Sequence, residues 1–305
     1  TFKDDAALTA HAQFYHRVYG AGGRSERVNV SFEEVKRRFQ SFSPDPDGEK
    51  LLQRMSVAGI DVTVMCAMDN IDQTPADGEA LKLNRSLAEF AERTKGKVLP
   101  LAGIDPRRRE APALYRRCIE EYGMRGLKWH ADYGFYPNSE EAYALLKVAE
   151  QLGMPLLTHT GPLPGFASGL KPRSKYVDVG LLDEVAQDFP NLKIIAAHMG
   201  RFEWRRWAQM AQYRPNLYGD LAMWQVWAVV NYERFCRDLR EILDIAGTES
   251  VLFGTDACSF SALVPNEQFV QILRDLPRKA PSGIKFTEEE VAAILGGNAQ
   301  KVFGL

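Results

Sequence analysis

Ile194-Ile195-Ala196-Ala197-His198-Met199-Gly200 is an apolar run of strand length that stops at a histidine. Leu156-Leu157-Thr158-His159-Thr160-Gly161 repeats the arrangement, and Leu252-Phe253-Gly254-Thr255-Asp256 ends in a carboxylate instead. Nearly continuous apolar runs of this length belong to strands covered on both faces. Working outward, strand-like runs occupy Ile60–Cys66, Val98–Ile104, Gly126–His130, Pro155–Thr160, Lys193–His198, Leu217–Ala222 and Val251–Asp256. Between them the period changes to that of amphipathic helices at Asp77–Lys95, Ser139–Leu152, Val179–Phe189 and Tyr232–Ala246, and the short helices Thr287–Leu295 and Asn298–Phe303 close the chain. Ser139 reads as an N-cap, Gly153 as a C-cap, and Thr287 with Glu290 as a capping box.

Regular alternation of strands and helices predicts a parallel sheet with right-handed crossovers, either a closed barrel or a doubly wound open sheet. The polar residues decide between them. His130, His159, His198 and Asp256 end four different strands, and in a barrel those ends meet at one mouth. No GxGxxG follows any strand, as a dinucleotide-binding open sheet would require. The expected fold is therefore α/β, a TIM-like (β/α)8 barrel. Only seven strands are found, so the first is expected upstream of Thr1, outside this sequence. Residues 1–46 differ from the rest, with turn clusters at Gly20–Gly23 and Ser43–Gly48. They are expected to form an insertion or lid over the mouth, and 47–305 the barrel. Arg27–Phe32 reads either as a short strand or, through Ser31 and Glu34, as the cap of a helix over Phe32–Phe39.

Composition removes several function classes. A net charge of −2 gives no basic excess for nucleic acid, and no apolar stretch reaches the length of a membrane span. Arg107-Arg108-Arg109 reads as a solvated loop and helix start. Cys66, Cys118, Cys236 and Cys258 are widely spaced without a CxxC pair, which argues against a disulfide framework and fits a reducing cytoplasm. Cys66 and Cys258 fall near strand ends, where a buried free thiol is the expected state.

A single histidine ending an apolar strand is more often structural than a ligand. Two of them and an aspartate on equivalent strand ends point the other way. Neutral imidazole and carboxylate suit zinc first, with manganese or iron as alternatives. A metal so held would acidify a bound water and polarise a carbonyl.

Gly126-Leu127-Lys128-Trp129-His130, Leu156–Gly161, Ala197–Gly200, Phe253–Asp256 and Gly297-Asn298-Ala299 together resemble the ordered signature segments of the amidohydrolase-related family, which holds metal-dependent hydrolases and non-oxidative decarboxylases. The resemblance implies that His159 is a metal ligand, that His198 polarises metal-bound water or substrate, and that Asp256 touches the metal and shuttles a proton. Lys128 matches a position often polar in the family, where it would pair with a substrate carboxylate or form a buried salt bridge. The family's first-strand HxH pair has no match here. His11 and His16 lie five apart in a polar segment, on a helix or loop.

The remaining expected substrate contacts are His130, Arg173, Lys175, Arg201 and Trp224, cations and rings suited to a small carboxylated substrate. Trp204 and Trp207 are expected to pack in an outer layer. The leading expectation is a hydrolase acting on an amide, ester or lactone through metal-activated water. A decarboxylase of an aromatic or unsaturated acid is the alternative, and a barrel that binds without turnover the second. A homodimer is suggested only by the resemblance.

Overall fold

The computed structural model describes residues 5–20, 27–42, 45–162 and 171–305. Seven strands occur among them: β1 (Thr63–Cys66), β2 (Val98–Gly103), β3 (Leu127–Trp129), β4 (Leu156–His159), β5 (Ile194–Ala197), β6 (Leu217–Asp220) and β7 (Val251–Leu252). Each lies inside a run expected to be a strand. The helices are α1 (Asp5–Tyr19), α2 (Phe32–Phe42), α3 (Glu49–Ala58), α4 (Asp77–Arg93), α5 (Ala111–Glu120), α6 (Glu140–Gln151), α7 (Leu181–Asp188), α8 (Trp204–Tyr213), α9 (Trp224–Val230), α10 (Tyr232–Ala246), α11 (Asn266–Lys279), α12 (Glu288–Ala292) and α13 (Asn298–Phe303). Ser139 caps α6 by accepting from the Ala142 amide, and Thr287 and Glu290 form the reciprocal capping box of α12. Of the two readings of Arg27–Phe32, the helical cap is the one adopted, with Ser31 Oγ accepting from the Glu34 amide. The clusters at Gly20–Gly23 and Ser43–Gly48 fall partly outside the described residues.

The chain divides into two compact units. The sheet unit holds β1 to β6, paired in sequence order and all parallel. Leu127, Leu156, Ile194 and Leu217 stand in one register row across β3 to β6, and all four are fully buried. The row above them contains Lys128, Leu157, Ile195 and Tyr218. Gly219 is required where it stands. A Cβ there would meet Met199 Cγ at 2.3 Å and the Trp207 ring at 2.7 Å, so α8 approaches β6 only over a bare backbone. Trp207 is fully buried and donates from Nε1 to the Tyr218 carbonyl, packing the outer helix α8 on β6.

An asparagine and an arginine join the layers of this unit. Asn84 on α4 donates to the Gly103 carbonyl and accepts from the Gly103 amide, fixing that helix to β2. Arg108 corrects the reading of the basic run as solvated. Its side chain is fully buried and holds Asp69 with two bonds of 2.7 Å, and it also reaches Asp77 at 2.9 Å. Only Arg109 of the three is solvated, at 95% exposure. The partner carboxylate lies 39 residues away, so the basic run alone did not reveal the pairing.

The helical unit holds α1 to α3, β7 and α9 to α12. Its core joins Tyr15, Tyr19, Val35 and Phe39 of the N-terminal helices to Met223, Val226 and Phe260. Each such side chain, once fully buried, contributes about 1.5–3 kcal/mol. Asn298 binds the Thr248 and Val251 carbonyls at 2.7 and 2.8 Å and so fixes the start of β7.

Replacing Arg108 with Met should cost about 3–5 kcal/mol, because it leaves Asp69 buried without its counter-charge. Urea denaturation measures this as a lowered midpoint, and an unchanged midpoint would show that the pair contributes nothing.

Candidate active site

Parallel pairing in register places equivalent residues of adjacent strands one strand spacing apart, about 4.8 Å. His159 ends β4 and His130 follows β3, and their rings stack at 4.8 Å and 5°. Tyr133 covers the outer face of His130 at 5.2 Å. His198 comes one residue after β5, and its Nε2 reaches His159 Nδ1 at 3.1 Å. The His159 Nε2–H donates to the Gly161 carbonyl at 3.0 Å, so Nδ1 is the nitrogen that accepts from His198.

Burial pushes His159 well below its ordinary value, and the charges of His130, His198 and Lys128 add to the effect. Burial also lowers His130, against the pull of Asp132, which accepts from its Nδ1 at 3.1 Å. Neutral imidazoles of this kind are bases and ligands rather than acids.

His198 is held by a strained turn. His198, Met199 and Arg201 have positive φ values of 68°, 53° and 57°, with Gly200 at 72° between them. Left-handed backbone at non-glycine residues costs of order 1–3 kcal/mol each and persists only where the surroundings enforce it. Thr160 and Asp220 do so here. Thr160 Oγ1 donates to the Ala197 carbonyl and accepts from the Gly200 amide at 2.8 Å, while Asp220 accepts from the His198 amide at 3.0 Å. Both clasps escaped the sequence reading, because each joins residues more than twenty positions apart.

A narrow crevice beside His130, with no room for a water molecule as it stands, is lined by Asp69, Asp105, Lys128, Trp129, His130 and Phe135 among others. Its two carboxylates are already committed, Asp69 to Arg108 and Asp105 to Arg107 at 2.6 Å. Lys128 is half-buried and has no salt-bridge partner among the described residues. The buried salt bridge kept open for it is not formed there.

The sequence profile of the amidohydrolase family matches residues 73–305. The chain belongs to the amidohydrolase family. This amidohydrolase is similar in structure to an uncharacterised TIM-barrel protein from Bordetella bronchiseptica, with TM-score 0.65 and 20% identity over 89% of this chain and 90% of that one. A dihydroxybenzoic acid decarboxylase from Polaromonas, with bound manganese and 2-nitroresorcinol, gives TM-score 0.62 and 19% identity over 90% and 89%. The 5-carboxyvanillate decarboxylase of Novosphingobium aromaticivorans, also with manganese, gives 0.65 and 16% over 96% and 86%. No curated protein sequence matches significantly. The fold of the amidohydrolase is thus of the TIM-barrel type, and the chain is an enzyme.

The other expected site residues are distributed as follows. Arg173 and Lys175 are exposed, with the Lys175 ammonium 4.7 Å from the centre of the Tyr176 ring. Arg201 is buried, and its guanidinium lies 5.4 Å from the Phe202 ring centre. Asp256 and Trp224 belong to the helical unit. Asp256 is exposed there with φ +46°. Trp224 is 1% exposed and lies edge-on to Trp227 and Phe235, so ring stacking on a ligand needs those neighbours to move. His11 and His16 lie on α1, against aromatic rings. All four cysteines are free; Cys118 and Cys236 are buried, Cys66 is half-buried, and Cys258 is exposed rather than buried as expected. No helix among the described residues is long and apolar enough to cross a membrane.

Thr160→Val keeps the shape of the clasp and removes both of its hydrogen bonds. The expected loss is about 2–4 kcal/mol, a fall of roughly 5–10 °C in Tm; a melt within 1 °C or so of the parent would contradict it. The buried histidines set a pH dependence as well. His159 and His130 stay neutral in the fold but bind protons below 6.5 when unfolded, so stability should decline as pH falls below that value. Urea melts from pH 7 to pH 5 should show the decline, with a shallower slope in His159→Gln.

Proposed function

We propose that this amidohydrolase removes the carboxyl group of a small aromatic or unsaturated acid without oxidation. The observation that carries the proposal is Lys128, a half-buried ammonium with no salt bridge among the described residues. It lines a cleft whose own carboxylates are neutralised by arginines. Such a cation suits a substrate carboxylate or phenolate oxygen. Decarboxylases of dihydroxybenzoate and carboxyvanillate share the fold, which supports the same choice.

In this reading Lys128 and His130 orient the acid and keep water away from it. The bond between the ring carbon and the carboxylate breaks, carbon dioxide leaves, and the electron pair on the ring carbon takes up a proton. Asp256 is the proposed proton carrier, and His198 the group that holds the substrate oxygen, its Nε2–H turning to that oxygen from His159 Nδ1. Residues 1–46 are proposed to act as a lid, in keeping with the packing of α1 and α2 on the segment after β7. Hydrolysis of an amide, ester or lactone is the second reading, with which the family match is equally compatible.

A divalent metal ion, zinc by ligand chemistry or manganese as in the two decarboxylases, belongs to the proposal. The described side chains do not make its site by themselves. No three His, Cys, Asp or Glu residues among them converge on one point, and both ring nitrogens of His159 are engaged.

The test is product analysis with 2,6-dihydroxybenzoate and 5-carboxyvanillate, following carbon dioxide by membrane-inlet mass spectrometry. One carbon dioxide per acid consumed is expected. Lys128→Met should raise KM about 10–100-fold with little change in kcat, and His198→Asn should abolish turnover in a folded protein. Conversion of a lactone or amide with no carbon dioxide from either acid would transfer the assignment to hydrolysis.

A further inference from the structure

His130 is held between two rings. His159 covers one face at 4.8 Å and Tyr133 the other at 5.2 Å, with interplanar angles of 5° and 20°. The sandwich fixes the plane of the imidazole but not which of its nitrogens lies at which edge.

Asp132 settles that choice. It follows His130 by two residues, in the 3-10 turn Ala131–Tyr133, and its backbone carbonyl accepts from the Arg173 amide at 3.1 Å. One carboxylate oxygen, Oδ1, lies 3.1 Å from His130 Nδ1. The other, Oδ2, is buried and meets no donor among the described residues. A fully buried carboxylate is costly unless several hydrogen bonds replace its lost water. Here the side chain receives one, and a histidine gives it. Asp132 is therefore a poor device for stability, and the group it fixes is the His130 ring.

The polarity of that bond decides what the ring offers. A carboxylate accepts and does not donate, so a neutral His130 carries its proton on Nδ1 and keeps a lone pair on Nε2. Both ring faces and Nδ1 are covered, so the 15% of the side chain that stays exposed belongs to the edge bearing Nε2. His130 shares its crevice with the Lys128 side chain. An ammonium and a hydrogen-bond acceptor in one crevice match a carboxylate that has a hydroxyl beside it.

We propose that Asp132 is a positioning residue, which turns His130 so that Nε2 accepts a hydrogen bond from a hydroxyl next to the substrate carboxylate. The target of the bond rests on the reading of the Lys128 crevice as an acid-binding site, whereas the orientation of the ring does not.

The first test reads the ring directly, by long-range proton–nitrogen NMR on the ¹⁵N-labelled full chain, with the His130 signals assigned from their loss in His130→Gln. The parent should show His130 protonated at Nδ1. Asp132→Asn, whose side chain can donate, and Asp132→Leu, which removes the acceptor, should both move the proton toward Nε2. Tm of Asp132→Asn should hold or rise, because no second bond to the carboxylate is lost. The second test is calorimetric titration with 2-hydroxybenzoate and 2-methoxybenzoate, the latter lacking the donor. The parent should prefer the hydroxyl compound about 10-fold, and Asp132→Asn by less than about threefold. Protonation of His130 at Nε2 in the parent overturns the proposal, and so does an equal hydroxyl preference in parent and Asp132→Asn. If the parent binds neither acid, the acid-site reading of the crevice fails instead, and the NMR result decides the role of Asp132 alone.

Discussion

Register is the constraint from which the catalytic features of the sheet unit follow. Once Leu127, Leu156 and Ile194 share a row, the residues that end β3 and β4 must stand one strand spacing apart, and two imidazoles placed there stack face to face. Neither ring can then take up a proton cheaply, because each is buried and close to the Lys128 ammonium.

His198 shows the opposite economy. It lies one residue beyond the register row of His159 and reaches its neighbour only through a left-handed turn. Thr160 and Asp220 hold that turn from the two flanking strands, β4 and β6. Stability spent on three strained residues is returned as a fixed direction for one ring. The crevice beside His130 follows a similar logic: Arg107 and Arg108 neutralise Asp105 and Asp69, which leaves Lys128 as the charge available to a ligand.

Much of this was legible in the sequence. The seven strands, the caps of α6 and α12, and His130, His159 and His198 at strand ends could be read because each is a local pattern of period, cap or strand terminus. What could not be read depends on partners distant in the chain. Arg108 looks solvated until Asp69 is placed against it, Trp224 looks available until Trp227 and Phe235 cover it, and Thr160 looks like a spacer until β5 supplies both of its bonds. For α1 the sequence leaves helix and loop both open, because its neighbourhood is polar and turn-rich, although Tyr15 and Tyr19 on it are core residues.

The most direct measurement is a crystal structure of the full chain grown with 2-nitroresorcinol, a ring of the chemistry proposed for the substrate. The ring is expected to lie beside Lys128 and His130, with an oxygen within hydrogen-bond reach of the lysine ammonium. A ring bound elsewhere, for instance in the open groove formed by α7 and α8 around Arg206 and Tyr213, with the Lys128 cleft empty, would contradict it.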